Sequence, residues 1–305
     1  MQTTNFDNCA FFHIENGAFR GRLVRLDKVI NTILQKHQYP LPVSAIVAES
    51  TALAIILASA LKYDGLFTLQ IQGNGPVSLV VVDVTSEGKV RACARFNEER
   101  IQKSQELRKT VGQIEPAPHL LGEGHLAFTV DQGPDTQLYQ GIVDLQGKTL
   151  TECALRYFKQ SEQIETDIQL FMHAPQGEGK DWYAAGIMLQ KLPEIGGKVH
   201  LDENLDDKWQ EAKIFLESLK ENEVFDSELS TEEILTRLYH ANNLVLSKKV
   251  DYQFGCRCSR EKLRTTLMTF KPEEIDEMVE DGKITATCHF CSEQYVYTRD
   301  ELRKQ

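Results

Sequence analysis

Apolar residues run through the first 190 positions in short blocks whose period changes, and the changes predict the elements. The stretch up to His37 has helical spacing, with Asp27 as its N-cap, and Pro40 and Pro42 stop it. Val43 to Leu61 is apolar almost throughout. It contains Glu49, Ser50, Thr51 and Ser59 and is barely long enough to span a bilayer, so it reads as a buried core helix. Leu66 to Gln72 alternates and reads as a strand, closed by the turn Gly73-Asn74-Gly75-Pro76. Val77 to Val84 is β-branched and nearly continuous, as in a buried strand, and Glu87-Gly88 turns the chain into Val90 to Phe96. Three strands on short turns predict a meander. Further strands are expected at Leu126 to Val130, Leu138 to Val143, Ile168 to His173 and Ala184 to Leu192, with a helix over Thr149 to Gln160 and a loop at Gly177–Gly179. The fold class is α+β: an antiparallel sheet carrying helices.

Past residue 194 the pattern changes. Gly196-Gly197 reads as a joint, and no proline follows Pro193 until Pro272. Asp206 to Lys220 places Trp209, Ala212, Phe215, Leu216 and Leu219 at helical spacing among charges. Ser230, three residues before Glu233, forms a capping box ahead of Ile234, Leu235 and Leu238. Charge sharpens this picture. The 305 residues hold 34 basic and 45 acidic side chains, net -11. Residues 195–248 alone hold 6 and 12, net -6, against -4 for residues 1–194 and -1 for residues 249–305. Short acidic helices with thin apolar stripes fit a charged connector docked on a neighbour, and equally a segment of marginal stability that undocks and melts. Three units are expected: an α+β core over 1–194, a helical linker over 195–248 and a small module over 249–305. So acidic a chain is repelled by nucleic acid and by anionic membranes, and neither is expected as a partner. Residues 1–20 show no basic region followed by an apolar run, so a cytoplasmic setting with reduced thiols is expected.

The chemistry lies in the last unit. Cys9, Cys93 and Cys153 are isolated and read as small packing residues, whereas Cys256, Cys258, Cys288 and Cys291 form C-x-C, 29 intervening residues, then C-x-x-C. In a reducing compartment such a cluster suggests a metal site before disulfides. An extended C-x-C puts both sulfurs on one face, and a C-x-x-C turn wraps two sulfurs round one ion. Between the pairs, Pro272 to Val279 reads as a helix with proline in its first turn; after them, Gln294 to Thr298 reads as a strand. Zinc is the expected ion, held by four thiolates, with His289 a less favoured substitute ligand. A closed four-thiolate site has no open position for water, which disfavours hydrolytic catalysis. A zinc ribbon binding a macromolecular partner and a redox switch both remain open. Arg257 and Arg260 read as partly offsetting the negative centre. Thiolates are what oxidants attack, and a small module deprived of its metal should unfold, taking the linker's support with it. His13, His119, His125 and His173 show no metal spacing, and no G-x-S-x-G, Walker or G-x-G-x-x-G motif occurs, so neither an enzyme nor an ATP-driven machine is expected.

These cysteines, with Phe254-Gly255 before them and Ser259-Arg260-Glu261 after, resemble those of the 33 kDa chaperonin family, the redox-regulated heat-shock holdases. The resemblance extends upstream, in order, through Gln72 to Pro76, Tyr139-Gln140-Gly141, Tyr157-Phe158 with Ser161-Glu162-Gln163, Ala185 to Gln190, and Arg237 to His240. It implies a zinc-bound, inactive reduced state. It implies that peroxide with unfolding stress, or hypochlorous acid, oxidises the four cysteines, expels zinc and pairs Cys256 with Cys258 and Cys288 with Cys291. The linker then unfolds, and the protein dimerises and holds unfolding clients without ATP.

Overall fold

The computed structural model describes residues 6–133, 136–176, 181–193 and 204–302. The expected loop at Gly177–Gly179 and joint at Gly196-Gly197 lie outside the described residues. The chain opens on two antiparallel strands, β1 (Asn8–Ile14) and β2 (Phe19–Leu26), followed by helix α1 (Lys28–Gln35). The helix expected after Asp27 and before Pro40 is α1; the two strands ahead of it were not anticipated. Both strands are buried on both faces: Cys9 and Val24 look one way, Phe12 and Leu23 the other. A strand covered on both sides loses its period-two alternation, which is why these two carry no strand signal. Asp27 does occupy the N-cap position of α1, but its side chain does not cap the helix. The Asp7 carboxylate does, accepting from the backbone N–H of Asp27 (2.9 Å), Lys28 (3.1 Å) and Val29 (3.0 Å).

Helix α2 (Leu41–Ala60) buries 16 of its 20 residues. It is long and apolar enough to cross a membrane, but two sheets occupy its surface. After it come β3 (Leu66–Gly73), β4 (Val77–Thr85) and β5 (Lys89–Phe96), the expected meander, then helices α3 (Glu98–Arg108) and α4 (Ala117–Leu121), which were not anticipated. Strands β6 (Gly124–Asp131) and β7 (Tyr139–Asp144), helix α5 (Leu150–Tyr157), and strands β8 (Thr166–His173) and β9 (Tyr183–Lys191) follow close to their expected places. Two glycines are required by close approach. A Cβ on Gly73 would lie 2.0 Å from the Leu121 carbonyl oxygen, and one on Gly186 would lie 2.3 Å from Ile56 Cδ1, where α2 rests on β9.

Glu49 is a partly buried acid on this otherwise apolar helix, and burial pushes its carboxyl up to about 7. A raised carboxyl pKa means the folded state holds its proton longer than the unfolded chain. Its contribution is intact below the unfolded value and is lost as pH rises through the folded one. Glu49→Gln is expected to match the parent near pH 4 and to exceed it by about 3 kcal/mol at pH 8, as read from denaturant melts.

The next helices, α6 (Leu205–Ser218), α7 (Glu221–Val224) and α8 (Thr231–Tyr239), lie on the face of the first sheet opposite α2. Trp209, Leu216, Val224, Leu235 and Tyr239 pack on Phe12, Phe19, Leu23, Ile187 and Leu189. Ring centres of Phe19 and Trp209 are 5.1 Å apart. The Ser230–Glu233 capping box is present as expected. Beneath them Arg25 is completely buried. Its guanidinium donates to the carbonyls of Val224 (2.8 Å), Leu229 (2.7 Å) and Asp226 (2.7 Å) and lies over the Phe6 ring.

The chain then enters both sheets. Strand β10 (Val245–Asp251), running across position 248, pairs with β1, and β11 (Gln253–Phe254) pairs in parallel with β5. The first sheet has the order β10-β1-β2-β9-β8, the second β11-β5-β4-β3-β6-β7. Last come α9 (Arg260–Leu267), α10 (Pro272–Glu277) and a hairpin of β12 (Lys283–Thr287) and β13 (Gln294–Thr298). Among the described residues this module's own core has five buried apolar side chains: Leu267, Ile275, Ile284, Tyr297 and Leu302.

Candidate metal centre

Two short segments carry the four cysteines. The first leaves β11, whose parallel pairing with β5 continues in a bond from Gly255 N–H to the Val90 carbonyl (2.9 Å). That holds Cys256 and Cys258 against the second sheet. The second is the turn between β12 and β13. Cys288 N–H donates to Glu293 O and Ser292 N–H to Cys288 O, both at 2.9 Å, which closes the C-x-x-C loop. Ser292 takes the left-handed conformation (φ 58°) that this reversal needs.

All four Sγ atoms lie within 4.8 Å of one another. Cys256 and Cys288 are 3.7 Å apart and Cys258 and Cys291 3.4 Å. Tetrahedral thiolates at ~2.3 Å from a central ion are separated by about 3.8 Å, so the cluster fits zinc in size, number and softness of donors. His289 is exposed and is not one of the four. The Tyr295 hydroxyl reaches Cys258 Sγ at 3.4 Å.

The charge beside the sulfurs differs from the expectation. Arg260 turns to Glu301 (2.7 Å) and over the Tyr297 ring, and Arg257 to Asp83 (2.9 Å). The guanidinium that touches a sulfur is Arg91, from β5: Nη1 is 3.8 Å from Cys256 Sγ, and the group lies 3.8 Å above the centre of the Phe290 ring. Asp83, its register partner on β4 and buried, accepts from Arg91 at 2.6 Å. One buried carboxylate thus ties the core's Arg91 to the module's Arg257. Ser292 Oγ adds a bond to the Lys36 carbonyl at the end of α1. Alternation along β4 and β5 puts Asp83 and Arg91 on the outer face of the sheet, but nothing in it shows that the cysteines dock there.

The seven thiols divide by environment. Burial pushes Cys9 and Cys93 up to about 12 and also raises Cys153, so these stay protonated and inert. Burial would raise Cys256 as well, but the Cys258 backbone N–H, the thiols of Cys258 and Cys291, and Arg91 pull it down to about 7. Cys288 and Cys291 are raised, by burial first, with Cys256 opposing their ionisation.

A two-sheet α+β core joined by packed helices to a small four-cysteine module defines a recognisable class. The family model described as Hsp33 protein matches residues 7–298. The 33 kDa chaperonin of Caulobacter vibrioides is 39% identical over 292 residues, covering 95% of this chain and 94% of that one. That of Aliivibrio salmonicida is 34% identical over 282 residues, 92% and 89% of the two chains. The crystal structure of the Thermotoga maritima 33 kDa chaperonin (heat shock protein 33 homolog) shares the fold, with a TM-score of 0.79 at 21% identity over 98% of this chain and 97% of that one. The chain belongs to the Hsp33 family.

Proposed function

We propose that this protein is a redox-regulated, ATP-independent holdase chaperone of the cytoplasm, switched off by zinc on Cys256, Cys258, Cys288 and Cys291. The observation that carries the reading is the disproportion between the terminal module's five-residue core and the four sulfurs gathered beside it. A unit so small draws much of its folding free energy from its metal. When bound, zinc keeps the four sulfurs as thiolates and ties the two cysteine segments together. The residues 1–194, 195–248 and 249–305 act as core, linker and switch.

Oxidation begins at one of the zinc-held thiolates. Peroxide takes two electrons from the thiolate, giving a sulfenic acid and hydroxide; the neighbouring thiolate displaces a second hydroxide and closes the disulfide. Cys256 pairs with Cys258 and Cys288 with Cys291, the shortest loops open to them once the four are no longer clamped. Arg91 then loses the anion it faces, the module undocks and takes Arg257 from Asp83, and α6 to α8 leave the sheet. The uncovered Phe12, Phe19, Leu23, Ile187 and Leu189 are apolar surface for unfolding clients, and a second copy pairs with the opened form.

The test is zinc and thiol stoichiometry before and after mild peroxide, together with aggregation of an unfolding reporter protein. Reduced protein is expected to carry zinc and to leave aggregation unchanged; oxidised protein is expected to have lost zinc and four thiols and to suppress it. Equal suppression by both forms refutes the switch. A Cys256–Cys288 bridge in the peptide map refutes the pairing.

A further inference from the structure

A cavity of about 450 Å³ opens where the C-terminal end of α2 meets β1, β2 and β10. Its volume falls in the range of small-ligand sites. Its charge is unusual for so acidic a chain: Arg22, Lys62 and Lys248 line it and no carboxylate does. Arg22 is 5% exposed. Its Nε is used, donating to the Ser59 carbonyl at 3.0 Å, but its Nη1 is buried and finds no partner among the described residues. An unpaired buried guanidinium nitrogen is costly, and charge-assisted bonds to an oxyanion are what best satisfies it. The two cations also share one aromatic ring: Phe11 has the Arg22 guanidinium 5.3 Å and the Lys248 ammonium 4.5 Å from its centre. Tyr63 and Tyr252 complete an apolar wall.

We propose that this cavity binds a small organic oxyanion, a carboxylate or phosphate carried on an apolar or ring-shaped body, between Arg22 and Lys248. The anion takes the unpaired Arg22 nitrogen and the Lys248 ammonium, and the body lies against the aromatic wall. The arginine's bond to Ser59 already satisfies the end of α2, so the ligand does not have to face that carbonyl. Lys248 and Tyr252 belong to the stretch between the linker helices and the cysteines, whereas Arg22 belongs to the core sheet. A bound anion therefore fastens β10 to the core, and by linkage it stabilises the closed arrangement.

Calorimetric titration of the zinc-loaded full chain with phenyl phosphate, benzoate and inorganic phosphate tests this. The first two arms separate phosphate from carboxylate, and the third measures what the ring adds. Saturable binding of phenyl phosphate or benzoate with Kd below about 1 mM is expected, tighter than inorganic phosphate, and weakened about tenfold in Lys248→Gln. Lys248 is exposed, so that variant keeps its fold; Arg22→Gln is expected to abolish binding. Amide exchange over Val245–Asp251 is expected to slow when phenyl phosphate or benzoate binds. Failure of all three probes to saturate below about 10 mM, or a change of less than about twofold in Lys248→Gln, overturns the site.

Discussion

Cys288→Ser is expected to lose tight zinc binding and, with no oxidant present, to loosen the chain well upstream of the substitution. A serine hydroxyl does not ionise near neutral pH, so one vertex of the tetrahedron disappears. Structural zinc supplies ~10–16 kcal/mol of apparent folding free energy in small domains, far more than five buried apolar side chains yield once chain entropy is subtracted. The module should lose its fold rather than relax. The consequence travels through named contacts. Cys256 no longer faces Arg91, Asp83 keeps Arg91 but loses the module's Arg257, and Ser292 releases the end of α1. Strand β10 has then lost its anchor on one side, and α6 to α8 are held only by their own packing. Chelator titration should report weak or absent zinc, and limited proteolysis should cut residues 204–248 faster than in the parent. Undiminished protease resistance there, with zinc gone, breaks the proposed coupling.

The sequence exposes the parts of this molecule whose signals are local. The meander over β3 to β5 announces itself through alternation and glycine turns. The cysteine quartet is visible because spacing alone nearly defines a zinc knuckle, and the Ser230 capping box lies within four residues. What stayed hidden depends on what packs against what. Strands β1 and β2 give no strand alternation because α2 covers one face and the linker helices the other. Asp7 caps α1 from 20 residues away. Arg91 resembles any outward-facing charge on a strand until the metal module docks over it. Arg25 is plainer still: a basic residue in a strand predicts solvent, and only the carbonyls of a segment some 200 residues later explain its burial.

That same Arg25 yields the sharpest separation of linker from metal. Arg25→Met is expected to keep its zinc and yet release α6 to α8, suppressing aggregation of an unfolding reporter without oxidant. The stretch from Val224 to Leu229 presents three carbonyls to one guanidinium, each at 2.7–2.8 Å. Methionine fills much of the volume but donates nothing, leaving three buried acceptors, each worth about 1–3 kcal/mol when unsatisfied. Part of that loss is returned because a buried cation no longer has to be desolvated. A net change of about 3 kcal/mol shifts the docked-to-released ratio by about two orders of magnitude. The arginine suits a releasable joint better than more leucine would. When the linker leaves, both the guanidinium and the carbonyls regain water, so the contact is strong while closed and adds little cost to opening. None of its atoms is near the sulfurs, so zinc content and the reactivity of Cys256 should match the parent. Faster amide exchange in α6 to α8 with unchanged zinc is the expected signature; zinc loss in this variant, or exchange no faster than the parent's, defeats the assignment of Arg25 as the linker's latch.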